Sequence, residues 1–206
     1  MKKPIPQASY SLEKKLAAQG LMLIAGIDEV GRGCLSGPLV AAVVVLPAQC
    51  PLKLYDSKQI SRLKRQQLSG EIWATALGIG LGWVDNHMID DFGLSWALQE
   101  AYERALVELE TPVSQIVLDG SYNYLQDYQI CQTIVRADSK VACVAAASIV
   151  AKVARDNYML KQAKTYPHYG YQTNSGYGTA MHRQAIKDFG LTKLHRKTFC
   201  KNVIAT

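Results

Sequence analysis

A chain of 206 residues, 49% hydrophobic and 19% charged, has ordinary globular usage and is long enough to bury one sizeable core. Its net charge of +6 and pI near 9.0 favour a polyanionic partner. Five scattered cysteines without a CxxC pair argue against a disulfide framework or a zinc site, and no apolar run approaches the ~20 residues of a membrane span. The start, MKKPIPQASYSLEKKL, lacks the apolar stretch of a signal peptide. One domain over residues 1–206 is therefore expected, with a core at 20–165 and an extension at 166–206, as a cytoplasmic monomer away from membranes.

In chain order, residues 21–28 (LMLIAGID) and 38–47 (PLVAAVVVLP) read as two strands pairing antiparallel across a glycine-rich turn. Residues 61–76 begin at a serine cap and carry Leu63, Leu68, Ile72 and Ala76 near helical spacing. LGIGLGWV (77–84) reads as a strand weakened by its glycines. A second amphipathic helix covers 95–110, with Leu98, Tyr102, Ala105 and Leu109 on one face. QIVLDG (115–120) has the continuous apolar character of a strand buried on both faces, and 128–138 is a fifth strand candidate. The longest helix spans 141–164, a turn-rich aromatic loop 167–179, and a last helix 180–189 ends at Gly190. This order implies an α/β sheet with helices on both faces and a small helical C-terminal region.

Ligands of open α/β sheets bind beyond strand ends, so acids closing apolar runs are the functional candidates: Asp28 with Glu29, Asp85, Asp119 and Asp138. Converging carboxylates repel unless they share a proton or a cation. Each also has a plain reading. Asp85 before NHMIDD suits a helix cap, Asp119 in DGSYN a turn, Asp28 and Glu29 a solvated loop, and Asp138 a cap for the long helix. Pattern alone does not choose among them.

GIDEVGRG followed by GPLVAAVVV, then DSK, VLDG, RADSK with AAASIVAKVARD, and GYGTAMHRQAI with HRKTF resemble the successive signature blocks of the ribonuclease HII family, from about residue 22 to 199. The arginine of GRG resembles that family rather than its sister, ribonuclease HIII, which usually has lysine there. The resemblance implies a ribonuclease H-like mixed central sheet with the first strand in the middle. It also implies divalent metal, Mn2+ or Mg2+, held by Asp28, Glu29, Asp119 and Asp138, which would be the catalytic residues. Asp28 would bridge two ions, Asp138 would lie toward the nucleophile, and Glu29 and Asp119 toward the leaving group. Asp85 drops out, and Asp156 becomes helix packing or support. Carboxylates suit these hard ions, and two ions about 4 Å apart can clamp an in-line phosphodiester displacement. The implied substrates are RNA–DNA hybrids and DNA containing ribonucleotides.

By the same resemblance Gly31, Arg32 and Gly33 would contact the ribonucleotide, and Tyr177 would pack on the next sugar and reach the 2′ hydroxyl. Ser57, Lys58, Ser148, Lys152, His182 and Arg196 would hold phosphates. Two departures stand out: Cys34 and Ser36 where the family commonly has proline and alanine, and SYNYLQDYQ where it has a basic, proline-containing connection. The rival readings are another nuclease of this fold, such as a DNA junction resolvase, and a nucleic-acid-binding module without catalysis.

Overall fold

The computed structural model describes residues 5–204. Strands β1 (Ile24–Val30), β2 (Leu39–Val45), β3 (Gly78–Val84), β4 (Gln115–Asp119) and β5 (Cys131–Ile134) form one sheet in the order β3-β2-β1-β4-β5. The short turn after β1 makes β2 antiparallel to it, and β3 continues that meander. β4 returns through a helical crossover and pairs parallel with β1, as β5 does with β4. Every residue of β2 is buried, consistent with a sheet covered on both sides.

One cover is α5 (Ala142–Thr165), whose first turns are almost all alanine, cysteine and valine. Small side chains let it lie so close to β1 that a Cβ on Gly26 would collide with the backbone of Cys143 and Val144. The other cover is α4 (Leu94–Glu108), and the β3 glycines that weaken its strand signal have the same cause. A Cβ on Gly80 or Gly82 would strike the carbonyls of Ala105 or Ala101. Alternation then sorts the sheet: Ile24, Val40, Ala42, Val44 and Val117 face α5, while Ala25, Ile27, Val43, Ile116 and Leu118 pack on the α4 side. Helix α2 (Arg62–Thr75), capped by Ser61, adds Leu68 and Ile72 to the α5 layer.

Helices α1 (Ser11–Ala17), α3 (Asn86–Phe92) and α8 (Lys197–Ile204) lie outside the elements read from periodicity. All are short, seven or eight residues, so few repeats reveal them. Asp85 is a cap, as its plain reading has it: its carboxylate accepts from the His87 and Met88 amides at 2.9 Å. The fifth strand is four residues, not eleven, because Arg136 adopts φ 58° and turns Ala137–Ser139 into a 3-10 turn. The 167–179 loop contains a turn at Pro167–Tyr169 and α6 (Tyr171–Asn174), and α7 (Ala180–Phe189) ends at Gly190 as expected. α6, α7 and α8 bury Tyr171, Ile186 and Val203 with Leu35 and Met159. No helix among the described residues is long and apolar enough to cross a membrane.

Candidate active site

Parallel pairing of β1 with β4 matches Ile27 to Leu118, so the next residues, Asp28 and Asp119, fall side by side at the carboxyl end of the sheet. Both point to the α5 side. Glu29, one residue on, points to the α4 side, where the Tyr102 hydroxyl donates to it at 2.6 Å. The Asp119 carboxylate accepts from the Ala137 amide at 2.6 Å and so fixes the turn that carries Asp138. Asp138 is buried and does not cap α5, whose N-cap Val141 has no side-chain bond. It faces Lys58, Nζ to Oδ2 3.3 Å. All four acids thus come to one end of the sheet.

Their electrostatics is unfavourable as it stands. Burial holds Asp28 well above the usual carboxylate range, and the charges of Glu29, Asp119 and Asp138 push it further, against a hydrogen bond from Ser148. Burial likewise raises Glu29, offset by Tyr102 and Arg32, and burial with Asp138 raises Asp119. Lys58 responds in the opposite sense: burial would lower it, but Asp28 and Asp138 carry it above the normal lysine value. Among the described residues no three acid, imidazole or thiol groups are already closed around a point that could hold an ion. Glu29 is turned to Tyr102 and to Arg32, 3.8 Å away, and Asp138 to Lys58. The donor set fits a hard divalent ion: four carboxylates, burial, and mutual repulsion that added positive charge would relieve.

The ribonuclease HII family model matches residues 25–202. This chain belongs to the ribonuclease HII family. It is accordingly a ribonuclease H, a metal-dependent nuclease. Its fold is similar to that of the ribonuclease H2 from Pyrococcus horikoshii OT3, at TM-score 0.74 and 24% identity over 89% of this chain and 98% of that one. The ribonuclease HII from Archaeoglobus fulgidus, solved as a complex with PCNA, gives TM-score 0.71 and 24% identity over 85% and 94%. Bst-RNase HIII in complex with Mn2+ gives 0.70 and 21% over 92% and 72%.

Around this ribonuclease HII cluster, several residues expected to hold phosphates lie inside. Ser57 and Ser148 are buried and share a hydrogen bond of 2.8 Å. With Ser148 donating to Asp28, Ser57 donates to Ser148, so the pair orients the acid instead of facing substrate. Arg196 is fully buried and donates to the carbonyls of Gly37, at 2.9 and 3.1 Å, and Arg32, at 3.1 Å. It braces the GRG turn from beneath. Arg155 does the same from α5, reaching the carbonyls of Pro38, Ser36 and Ser175 at 2.7 to 3.0 Å. The fork geometry of guanidinium lets one side chain tie several carbonyls, which lysine could not do. Of the two lysines, Lys58 is exposed, while Lys152 binds Asp156 at 2.7 Å and lies 5.7 Å from the Tyr177 ring centre. Asp156 is support as expected, holding Lys152 and also Arg65 at 3.5 Å.

His182 is also buried, and its hydrogen bonds define a directed chain. The Thr192 amide donates to His195 Nδ1 at 2.8 Å, so the His195 proton sits on Nε2. That Nε2 meets His182 Nε2 at 3.2 Å, which must accept; His182 Nδ1 therefore carries the other proton and donates to the Tyr177 carbonyl at 2.9 Å. Two neutral histidines hold the tyrosine backbone. Burial lowers both, His195 to about 4. The departure at Ser36 joins this chain, 3.3 Å from His182 Nε2 and accepting from Tyr171 at 3.1 Å. The turn itself differs at its two ends. Gly31, at φ 96°, is demanded by the fold, because a Cβ would meet Arg155 and the Pro38 carbonyl. A Cβ on Gly33 would meet nothing within 4 Å, so packing does not require glycine there. Tyr102, Arg155 and His195 escaped the sequence reading: Tyr102 reads as one more apolar-face residue, and nothing local shows where the other two point.

Proposed function

We propose that this ribonuclease hydrolyses the RNA strand of RNA–DNA hybrids and cuts on the 5′ side of single ribonucleotides embedded in duplex DNA, leaving 3′-hydroxyl and 5′-phosphate ends. Support comes above all from the β1–β4 register, which seats Asp28 beside Asp119 with Glu29 and Asp138 at the same sheet end. These four would hold the divalent ions, manganese or magnesium, that the reaction requires. Bound there, the ions would supply the charge that activates a water and stabilises the departing 3′ oxygen. Ser148 and Ser57 keep the Asp28 carboxylate aimed, Tyr102 steadies Glu29, and the Ala137 amide steadies Asp119. Lys58, exposed and next to Asp138, would meet a backbone phosphate near the attacking side.

Sugar recognition falls to the wall beside the cluster. Gly33 leaves open space where a ribose edge can approach the turn backbone, and the half-exposed Tyr177 ring has Lys152 and Arg155 over it, 5.7 and 5.9 Å from its centre. A hydroxyl is read best by groups that are already fixed. The test is a DNA duplex carrying one ribonucleotide, incubated with and without Mn2+ or Mg2+. Metal-dependent cutting 5′ of the ribonucleotide is expected; equal cutting of an all-DNA duplex would overturn the reading.

A further inference from the structure

Beyond Glu29 on the α4 side lies a groove of about 690 Å³ that neither the acid cluster nor the GRG wall uses. Trp96 and Gln99 line it from α4, and Tyr122, Tyr124, Gln126 and Asp127 from the connection after Asp119. This is the segment whose composition departs from the family. Its rings are organised: Trp96 packs on Phe92 with centres 4.6 Å apart, and Tyr122 meets Tyr124 edge-on at 4.7 Å. Phe92 and Tyr122 are 60% and 56% exposed. Tyr124 lies 6.1 Å from Tyr102, whose hydroxyl binds Glu29, so groove and acid cluster share a wall.

The lining contains no lysine or arginine, which argues against a phosphate site. Flat rings with amide and carboxylate groups at their edges suit a nucleobase, whose faces stack and whose rim both donates and accepts. A paired base has its rim occupied; an unpaired one does not. We infer that this groove takes an unpaired base of the cleaved strand, upstream of the cut. The upstream side follows from Glu29 lying toward the leaving 3′ oxygen, so the inference rests on the proposed function. Tyr102 stands between Glu29 and the groove, so the base it takes lies a few nucleotides from the cut and not at it.

The experiment uses hybrids in which the cleaved strand continues as a single-stranded overhang from a few nucleotides 5′ of the cut, with 2-aminopurine in the overhang. Binding is followed by fluorescence without divalent ion, and cleavage with Mn2+. Stacking should quench the fluorophore and tighten binding about tenfold over the same overhang placed on the 3′ side. Trp96→Ala and Tyr122→Ala should each remove quench and tightening, and Trp96→Phe should restore them. Because Trp96 also packs on Phe92, the more exposed Tyr122 serves as the variant that does not disturb the helix. Quenching unchanged in both alanine variants, or equal for the two overhangs, overturns the groove. Quenching without any metal-dependent cleavage leaves the groove standing and removes the proposed reaction; cleavage without quenching does the reverse.

Discussion

The acid cluster and the wall beside it are built on opposite principles. At the sheet end, Asp28, Glu29 and Asp119 sit where burial and one another's charge oppose ionisation, and their partners are few. In the wall, segment 34–36 is stitched to Tyr177 and His195 by isolated bridges, two buried arginines tie the carbonyls of Arg32, Ser36, Gly37 and Pro38, and two histidines hold Tyr177. One region is left short of positive charge; the other is held by a dense set of buried hydrogen bonds. A site that must bind ions benefits from the first condition, because the ions' affinity draws on the relief of repulsion. A site that must measure one hydroxyl benefits from the second.

The largest effect should come from breaking the cluster. Asp28→Asn should lower cleavage on the order of 10³-fold or more, since a neutral amide is a far weaker ligand for a hard divalent ion than a carboxylate. Steady-state rates at saturating magnesium test this, and near-wild-type turnover would exclude the cluster. Next, the histidine chain should make the wall acid-sensitive. His195 is depressed in the folded state to about 4 from a normal 6.5, so its unfolded form binds the extra proton between those values. Stability is then complete above about pH 6.5 and falls by about 3 kcal/mol toward pH 4. Denaturant melts across that window should show the loss, and His195→Gln should flatten this part of the profile.

Tyr177 sharpens the comparison at the level of specificity. Tyr177→Ala should cost about 100-fold on a single embedded ribonucleotide, because the sugar loses its support, while Tyr177→Phe loses one hydrogen bond, about fivefold. The defect should be smaller on an all-RNA strand paired with DNA. Equal rates for wild type and the alanine variant would place specificity elsewhere. The smallest effect belongs to Asp85, outside both regions. Asp85→Asn should change α3 stability by no more than about 0.5 kcal/mol, since asparagine caps nearly as well, and leave cleavage intact.

Much of this was legible in the sequence. Strands β1 to β4 follow from short apolar runs, and α2, α4 and α5 from apolar faces long enough to repeat; β5, four half-buried residues, was legible only as a longer candidate. The site was legible as a set of acids only through the signature blocks; pattern alone did not choose the ligands among Asp28, Glu29, Asp85, Asp119 and Asp138. What could not be read is direction. Ser57, Ser148, His182 and Arg196 are polar residues in family motifs, and sequence does not say that they point inward to hold Asp28, Tyr177 and the turn. Burial is a property of packing between α5, α7 and segment 34–38, which are far apart in the chain.

The cluster's shortage of positive charge can be measured directly by melting wild type and Asp28→Asn with and without Mn2+. Wild type should gain stability from the ion. The variant should melt a few degrees above wild type without ion, about 2–4 °C for each kcal/mol of relieved repulsion, and gain little more when ion is added. A metal-free variant less stable than wild type, together with a wild-type melt that ignores Mn2+, would contradict a cluster held apart by its own charge and completed by metal.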